Sequence, residues 1–217
     1  MSDPSNAKNA LKLTDRAMLS LLAVLETGEP VTQRSLAARI GVALGLANGL
    51  VKRAVRKGLV KVKQAPAKRY AYYVTPQGFG ENSRLVAQYL SSSLDFFRQA
   101  REEFAAVYVA AEARGHTRVV LFGAGELAEI AMLSAQDSAA EVLAVVQPGS
   151  NQSHFSGLPV ISSLDAPWGL DVDAVVITCA DAPQAAYELL REHFDDERII
   201  AAPLLHINRQ LGGGQDQ

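Results

Sequence analysis

The sequence predicts an α+β front end, a long connecting helix, and an α/β back end with a small parallel sheet. Three observations carry this. Helical periodicity up to Lys57 gives way to two alternating segments, LVKVK and RYAYYVT. The run from Glu81 to Arg114 has no Gly or Pro to stop a helix. Beyond Gly115, short apolar runs alternate with helical ones, the order that builds a parallel sheet covered by helices.

At 217 residues and 48% hydrophobic content, the chain can fill one large core or two small ones. No apolar run reaches the ~18 residues a membrane-spanning helix needs, and MSDPSNAKNALKL lacks the regions of a signal peptide. A cytoplasmic protein with no membrane partner is expected. Cys179 is alone, which removes an intramolecular disulfide and a Cys-based zinc site; a small buried hydrophobe is expected there.

Net charge is −2, yet the average conceals a division. Pro30 to Gly80 carries ten Lys or Arg and no acid, whereas Gly115 to Gln217 carries four Arg, no Lys and fourteen acids. The first stretch stands at +10 and the second at −10. A compact basic patch suits a polyanion such as DNA, and an acidic remainder discourages non-specific adhesion.

Thr14 is placed to cap a helix from Asp15 to Glu26, with Leu19, Leu22, Ala23 and Leu25 as its apolar face. Thr32 caps a second, QRSLAARI, with Leu36, Ala37 and Ile40 inward and Gly41 ending it. A third runs from Leu44 to Lys57 and stops at Gly58. LVKVK and RYAYYVT follow as strands around a QAPAK turn. Three helices and then a basic hairpin make an α+β winged helix-turn-helix.

LGLANGLVKRAVRKGLVKVK followed by RYAYYVTPQG resembles the MarR-type winged-helix regulators, and most of all the subgroup associated with exopolysaccharide gene clusters. The resemblance covers residues 12 to 105. It implies that the helix after the turn enters the major groove of double-stranded DNA while the wing touches flanking backbone. The matching positions are Leu44, Asn48 and Lys52 on the helix, with Lys68 and Arg69 on the wing. Ala43 departs from the family's usual Ser or Thr, which removes a helix cap and a phosphate contact.

The residues themselves add to this. Positions 44, 45, 48, 49 and 52 share one helical face, on which only Asn48 and Lys52 can hydrogen-bond a base edge, Asn suiting adenine and Lys guanine. Gly45 and Gly49 each cost ~1 kcal/mol of helix stability relative to Ala, and permit close approach of backbone to groove. Arg34, Arg39, Arg53, Arg56, Lys61 and Lys63 are expected on phosphates, which position a protein without selecting sequence.

Between Glu81 and Arg114, residues Val86, Leu90, Leu94, Phe97, Phe104, Tyr108 and Ala111 fall mostly three or four apart, with Arg101 interrupting. Such a helix extends roughly 45 Å, too long to pack wholly on one small domain. Its stripe is expected to pair with a second copy, giving a homodimer with two recognition helices on one face of DNA, the alternative being a helix packed only against its own two domains.

Further on, RVVLF reads as a strand, GAGELA opens a helix, EVLAVV is a second strand, LPVI a short third and DAVVIT a longer one. APQAAYELLREHF reads as a helix and RIIAAP as the last strand. This is a small Rossmann-like unit. Gly123 permits a tight turn, Gly125 lets a phosphate approach the backbone, and Ala128 takes the third position of GxGxxA. The turn Gly123, Ala124, Gly125, Glu126, Leu127 is the expected ligand site, since a helix N-terminus favours an anion. Gln147 stands where Asp or Glu would accept both ribose hydroxyls of NAD, and it accepts more weakly. Thr178 is expected beside the turn, touching ligand or capping the next turn.

VVLFGAGELAEIA, the second strand and GLPVISSLD together resemble the small nucleotide-binding domains at the front of polysaccharide sugar-modifying and sugar-transfer proteins. That resemblance covers residues 118 to 180 and implies a nucleotide-type ligand, a nucleotide sugar or NAD. Gln147 and Pro148 stand where those domains often carry an acidic pair.

Residues 115–217 contain no Lys, which removes a Tyr and Lys pair, a P-loop lysine and a Schiff base from this part. His154 in the loop QSHFSG is the best-placed general base, with an exposed or structural histidine as the alternative. His116, His193 and His206 show no ligand spacing, so no metal site is expected. The expectation is a transcription regulator without enzymatic activity. It has a winged helix-turn-helix over 12–80, a connecting and dimerisation helix over 81–114, and a Rossmann-like sensor of a small nucleotide-type ligand over 115–207. Control of polysaccharide genes is implied by resemblance. The alternatives are a protein-interaction module in the last part, or an enzyme of nucleotide or sugar metabolism.

Overall fold

The computed structural model describes residues 4–29, 31–65, 69–163 and 170–210, without the side chains of 4–13, 64, 65 and 69. The chain divides into two compact units, Met1–Leu94 and Asp95–Gln217. The first is an α+β winged helix and the second an α/β Rossmann-like domain, with one long helix continuing from the first into the second.

In the first unit, α1 (Pro4–Leu25), α2 (Gln33–Arg39) and α3 (Leu44–Arg56) precede an antiparallel hairpin of β1 (Val60–Ala65) and β2 (Arg69–Val74). Helix α1 begins earlier than expected, so Thr14 lies inside it and not at its cap. No Gly or Pro stands between Ser5 and Thr14, and Ala, Lys and Leu carry the helix on. Its buried face is Ala17, Met18, Leu21, Leu22 and Leu25, while Ala23 is exposed. The core stripe is thus turned by about one position from the expected one.

Thr32 caps α2 in a reciprocal pair with Ser35, each side-chain oxygen accepting the other's backbone N–H at 3.1 Å. Helices α2 and α3 end alike, on Gly41 and Gly58 at φ of 68° and 70°. The next N–H in each case, Val42 or Leu59, returns to Ala37 or Ala54 at 3.1 and 2.9 Å. Ala43 gives α3 no side-chain cap. Leu21, Leu22, Leu36, Leu50, Ala54, Val60 and Tyr72 close the core of this unit.

Helix α4 (Pro76–Glu112) starts five residues before Glu81. Gly78 and Gly80 weaken its first turns, but Thr75 accepts the Gly78 N–H at 3.0 Å as a cap and Pro76 needs no partner at the first position. Its apolar residues do not form one pairing stripe. Ala100, Phe104, Tyr108 and Ala111 are buried in the core of the second unit, whereas Val86, Leu90 and Leu94 are 39%, 53% and 53% exposed.

The second unit holds β3 (Arg118–Phe122), α5 (Glu126–Ala135), β4 (Glu141–Val146), β5 (His154–Phe155), β6 (Leu158–Ile161), β7 (Ala174–Ile177), α6 (Pro183–Leu190) and β8 (Ile199–Ala201). The sheet order is β5-β6-β4-β3-β7-β8, parallel except for β5. From β3 the chain steps outward to β4 and β6, then crosses to β7 and β8, which makes the carboxyl end of β3 a topological switch point. Val119, Val120, Leu121, Val145, Val175 and Val176 are fully buried, which suits strands covered on both faces. Two details differ from expectation. QSHFSG is not a plain loop but a tight hairpin into β6, with Ser156 and Gly157 at φ 46° and 89°. Helix α6 ends at Leu190, whose carbonyl takes both the His193 and Phe194 N–H groups in a final turn. No helix among the described residues is long and apolar enough to cross a membrane.

Candidate functional site

Helix α3 buries Ala47, Leu50, Val51 and Ala54, which leaves the opposite face outward. There Gly45, Gly49, Lys52 and Arg56 are exposed and Leu44 is 46% exposed. Asn48 lies on the flank, half-buried, its Oδ1 without a donor among the described residues. Arg53 is turned a further ~100° round the helix from Lys52. It lies within electrostatic reach of Glu81, whose carboxyl is held below its ordinary range first by the Arg84 hydrogen bond, with Lys57 and Arg53 adding to it.

On the hairpin, Lys61 pairs with Tyr73 and Lys63 with Ala71, and all but Ala71 are exposed. Lys68 lies outside the described residues; Arg69 opens β2, and its side chain is likewise outside them. Arg34 is exposed on α2, while Arg39 is paired with Glu29 at 3.0 Å. Sequence reasoning left out a groove between α2, α3 and the hairpin, lined by Gln33, Lys52, Val55, Arg56, Val62 and Tyr70. The one trace of it in the sequence is apolar Val62 between Lys61 and Lys63; in the structure Val55 and Val62 are 40% and 42% open.

In the second unit the glycine turn is built by three fastenings. Gly123 sits at φ 110°, and a Cβ there would lie 2.7 Å from the Cys179 nitrogen, so no side chain fits. Thr178 is buried, and its hydroxyl donates to the Gly123 carbonyl at 2.6 Å, so it holds the turn from below. Gln147 Oε1 accepts the Ala124 N–H at 2.7 Å. The N–H groups of Gly125, Glu126 and Leu127 have no acceptor among the described residues. These donors stand at the N-terminus of α5, where the helix field favours an anion. Gln147 Oε1 is engaged with the turn, and a neutral amide does not grip a ribose diol as a carboxylate does.

Glu129, one turn into α5, accepts from Ser156 Oγ at 3.2 Å and ties the β5–β6 hairpin to the helix. His154 is exposed on β5, with Nδ1 3.1 Å from Ser153 Oγ. Among the described residues, no three His, Cys, Asp or Glu side chains are grouped to hold a metal ion.

No family model matches this chain, and no curated protein matches it. Solved structures do. A MarR-family transcriptional regulator from Rhodococcus sp. RHA1 is similar at 26% identity, over 38% of this chain and 59% of its own, with a TM-score of 0.33. The match therefore spans little more than half of that regulator. The PcaV transcriptional regulator from Streptomyces coelicolor is similar at 18% identity, over 52% of this chain and 99% of its own, with a TM-score of 0.30. An N,N-8-amino-8-demethyl-D-riboflavin dimethyltransferase from Streptomyces davawensis is similar at 14% identity, over 91% of this chain and 79% of its own, with a TM-score of 0.37. The expectation of a chain without enzymatic activity is corrected by this last match, since the structure aligned over most of the chain is that of an enzyme.

Proposed function

We propose that this chain binds duplex DNA through its winged helix, as a dimer, and holds a phosphate-bearing ligand at the glycine turn of its Rossmann-like unit. The observation that carries the reading is a set of exposed cations, Lys52 and Arg56 on α3 with Lys61 and Lys63 on the hairpin, drawn from a stretch with no acid. Such a set attracts the phosphate backbone and releases counterions on binding. Asn48 and Lys52 supply what base discrimination there is, with Lys68 and Arg69 proposed on flanking backbone and Arg34 and Arg53 on phosphates. Dimerisation is supported by Phe79, Val86, Leu90 and Leu94, spaced to share one face of α4 and all exposed.

Ligand binding is supported by the N–H groups of Gly125, Glu126 and Leu127, which have no acceptor among the described residues. Ligand and DNA are linked if the ligand favours one arrangement of the dimer, with a coupling of about 1–3 kcal/mol. A role at polysaccharide genes rests on the resemblance of KGLVKVK and YAYYVTPQG to regulators of that subgroup. Salt-titrated fluorescence anisotropy on a labelled duplex tests the core of the reading; no capture in dilute buffer rejects it. Titration of nucleotide sugars and NAD(H) against wild type and Gly125→Val tests the ligand, because a Cβ added at this position meets nothing within 4 Å in the protein.

A second reading makes the Rossmann-like unit catalytic at the same turn. Exposed His154, oriented by Ser153, is the titratable group that favours it. Product formation from a bound ligand, lost in His154→Ala with binding retained, distinguishes turnover from sensing.

A further inference from the structure

We infer that Thr75 is a positioning residue for duplex recognition, its hydroxyl fastening the end of α3 to the first turn of α4; this rests on the DNA-binding reading above. Thr75 lies between β2 and α4. Its hydroxyl donates to the Gly58 carbonyl at 2.6 Å and accepts the Gly78 N–H at 3.0 Å. Its own N–H meets the Leu59 carbonyl at 2.9 Å. Gly58 and Leu59 are the two residues that close α3, the first at φ 70° and the second bonded back to Ala54. One hydroxyl thus gives its only proton to the end of the recognition helix and a lone pair to the start of α4.

Gly78 completes the joint. A Cβ at this position would stand 2.1 Å from the Leu59 oxygen and 2.7 Å from Val74 Cγ1, so the two backbones are in direct contact. At Gly58 an added Cβ would lie 3.2 Å from Gln77 Oε1. Helix α3 therefore cannot shift against α4 without breaking these bonds. Asn48 and Lys52 stand on α3, and hydrogen bonds to base edges weaken steeply with small changes of distance and angle. Phosphate attraction falls only slowly with distance. Loosening the joint therefore erodes sequence discrimination before it erodes capture.

Thr75→Val keeps the shape and removes the hydroxyl's bonds to Gly58, Leu59 and Gly78, while Thr75→Ser restores them. The probes are a duplex enriched by the wild-type chain from a randomised pool, and a scrambled duplex of the same length, both titrated by anisotropy at one salt concentration. Thr75→Val is expected to lose about tenfold in the ratio of the two affinities. Its hold on the scrambled duplex changes by less than about twofold. Thr75→Ser keeps the wild-type ratio. A wild-type ratio in folded Thr75→Val, an equal loss in Val and Ser, or a wild-type chain that enriches no sequence overturns the role.

Amide exchange on the wild-type chain gives a readout that does not depend on the variant folding. Thr75, Gly78 and Leu59 are expected to share one protection level, and a Gly78 amide exchanging about a hundredfold faster than Leu59 also overturns the joint. Failure of wild type to capture any duplex sinks the DNA-binding reading itself. Capture with indifference at Thr75 sinks this role alone.

Discussion

Gln147 accepts the Ala124 N–H through Oε1 at 2.7 Å, which ties the end of β4 back onto the glycine turn after β3. Gln147→Met fills similar space and leaves that N–H without an acceptor, at a cost of about 1–2 kcal/mol. Gln147→Glu keeps an acceptor and stays closer to wild type. Denaturant unfolding of the two variants checks this; equal stabilities would show that the bond holds nothing.

Gly123 and Gly125 look alike in the motif and differ in the fold. Gly123 needs positive φ and has the Cys179 nitrogen 2.7 Å from any added Cβ, whereas Gly125 is extended, at φ 177°, with open space around it. Gly123→Ala is expected to lose at least about 2 kcal/mol. Gly125→Ala costs about 1 kcal/mol or less, as a weaker cap. Thermal unfolding separates them, and the tolerant site is where a bulkier residue reports on ligand alone.

The winged helix was legible because its signals are local. Thr32 and Ser35 box a helix start, Gly41 and Gly58 end helices, and alternation marks the hairpin. The Thr75 joint was not, since nothing in VTPQG announces that Gly78 will meet the Leu59 carbonyl 19 residues earlier in the chain. At the glycine turn the right residues were in view but not their partners. Thr178 and Gln147 are short polar side chains at strand ends, and only the assembled sheet decides whether they face a ligand or the backbone beside them. The long helix misled for a related reason: one apolar period served two purposes, an own-unit core from Ala100 to Ala111 and an open face from Phe79 to Leu94.

That open face is testable. Leu90 and Leu94 are each 53% exposed on α4. Burying both against a second copy removes apolar surface from water at roughly 25 cal/mol per Å². Leu90→Glu with Leu94→Glu is expected to shift the chain to monomer and to weaken duplex capture, with unfolding of the monomer little changed. Light scattering after size exclusion reads the mass; a double variant that stays dimeric moves the interface elsewhere.

Asp173 accepts the Arg118 and Thr117 N–H groups at 2.7 and 2.9 Å through one oxygen. The Arg118 backbone bond, first among the causes, holds its carboxyl below the usual range against the opposing effect of burial, and Thr117, His116 and the Arg118 charge add to it. A depressed folded pKa means that the unfolded chain binds the proton more readily. This stabilisation is therefore complete above the unfolded carboxylate value of about 4 and is lost as pH falls through the folded one. Asp173→Asn should cost about 1 kcal/mol at neutral pH after solvent screening and show a flatter decline in acid. Unfolding midpoints compared at neutral and acid pH check the sign; a variant whose acid decline matches wild type rules the carboxylate out.

Tyr108 is fully buried on α4 in the core of the second unit, and its hydroxyl has no partner among the described residues. Burial pushes its ionisation well above the ordinary tyrosine range, so it stays protonated. An unpaired buried hydroxyl costs free energy that its ring recovers only in part. Tyr108→Phe removes the polar atom and keeps the ring, and is expected to leave stability unchanged or raise it by about 1 kcal/mol. Tyr108→Ala opens a cavity and should lose about 3–5 kcal/mol. Denaturant unfolding that finds Tyr108→Phe destabilised by more than about 1 kcal/mol would mean the hydroxyl has a partner in solution, and the core around α4 would have to be polar where the packing reads as apolar.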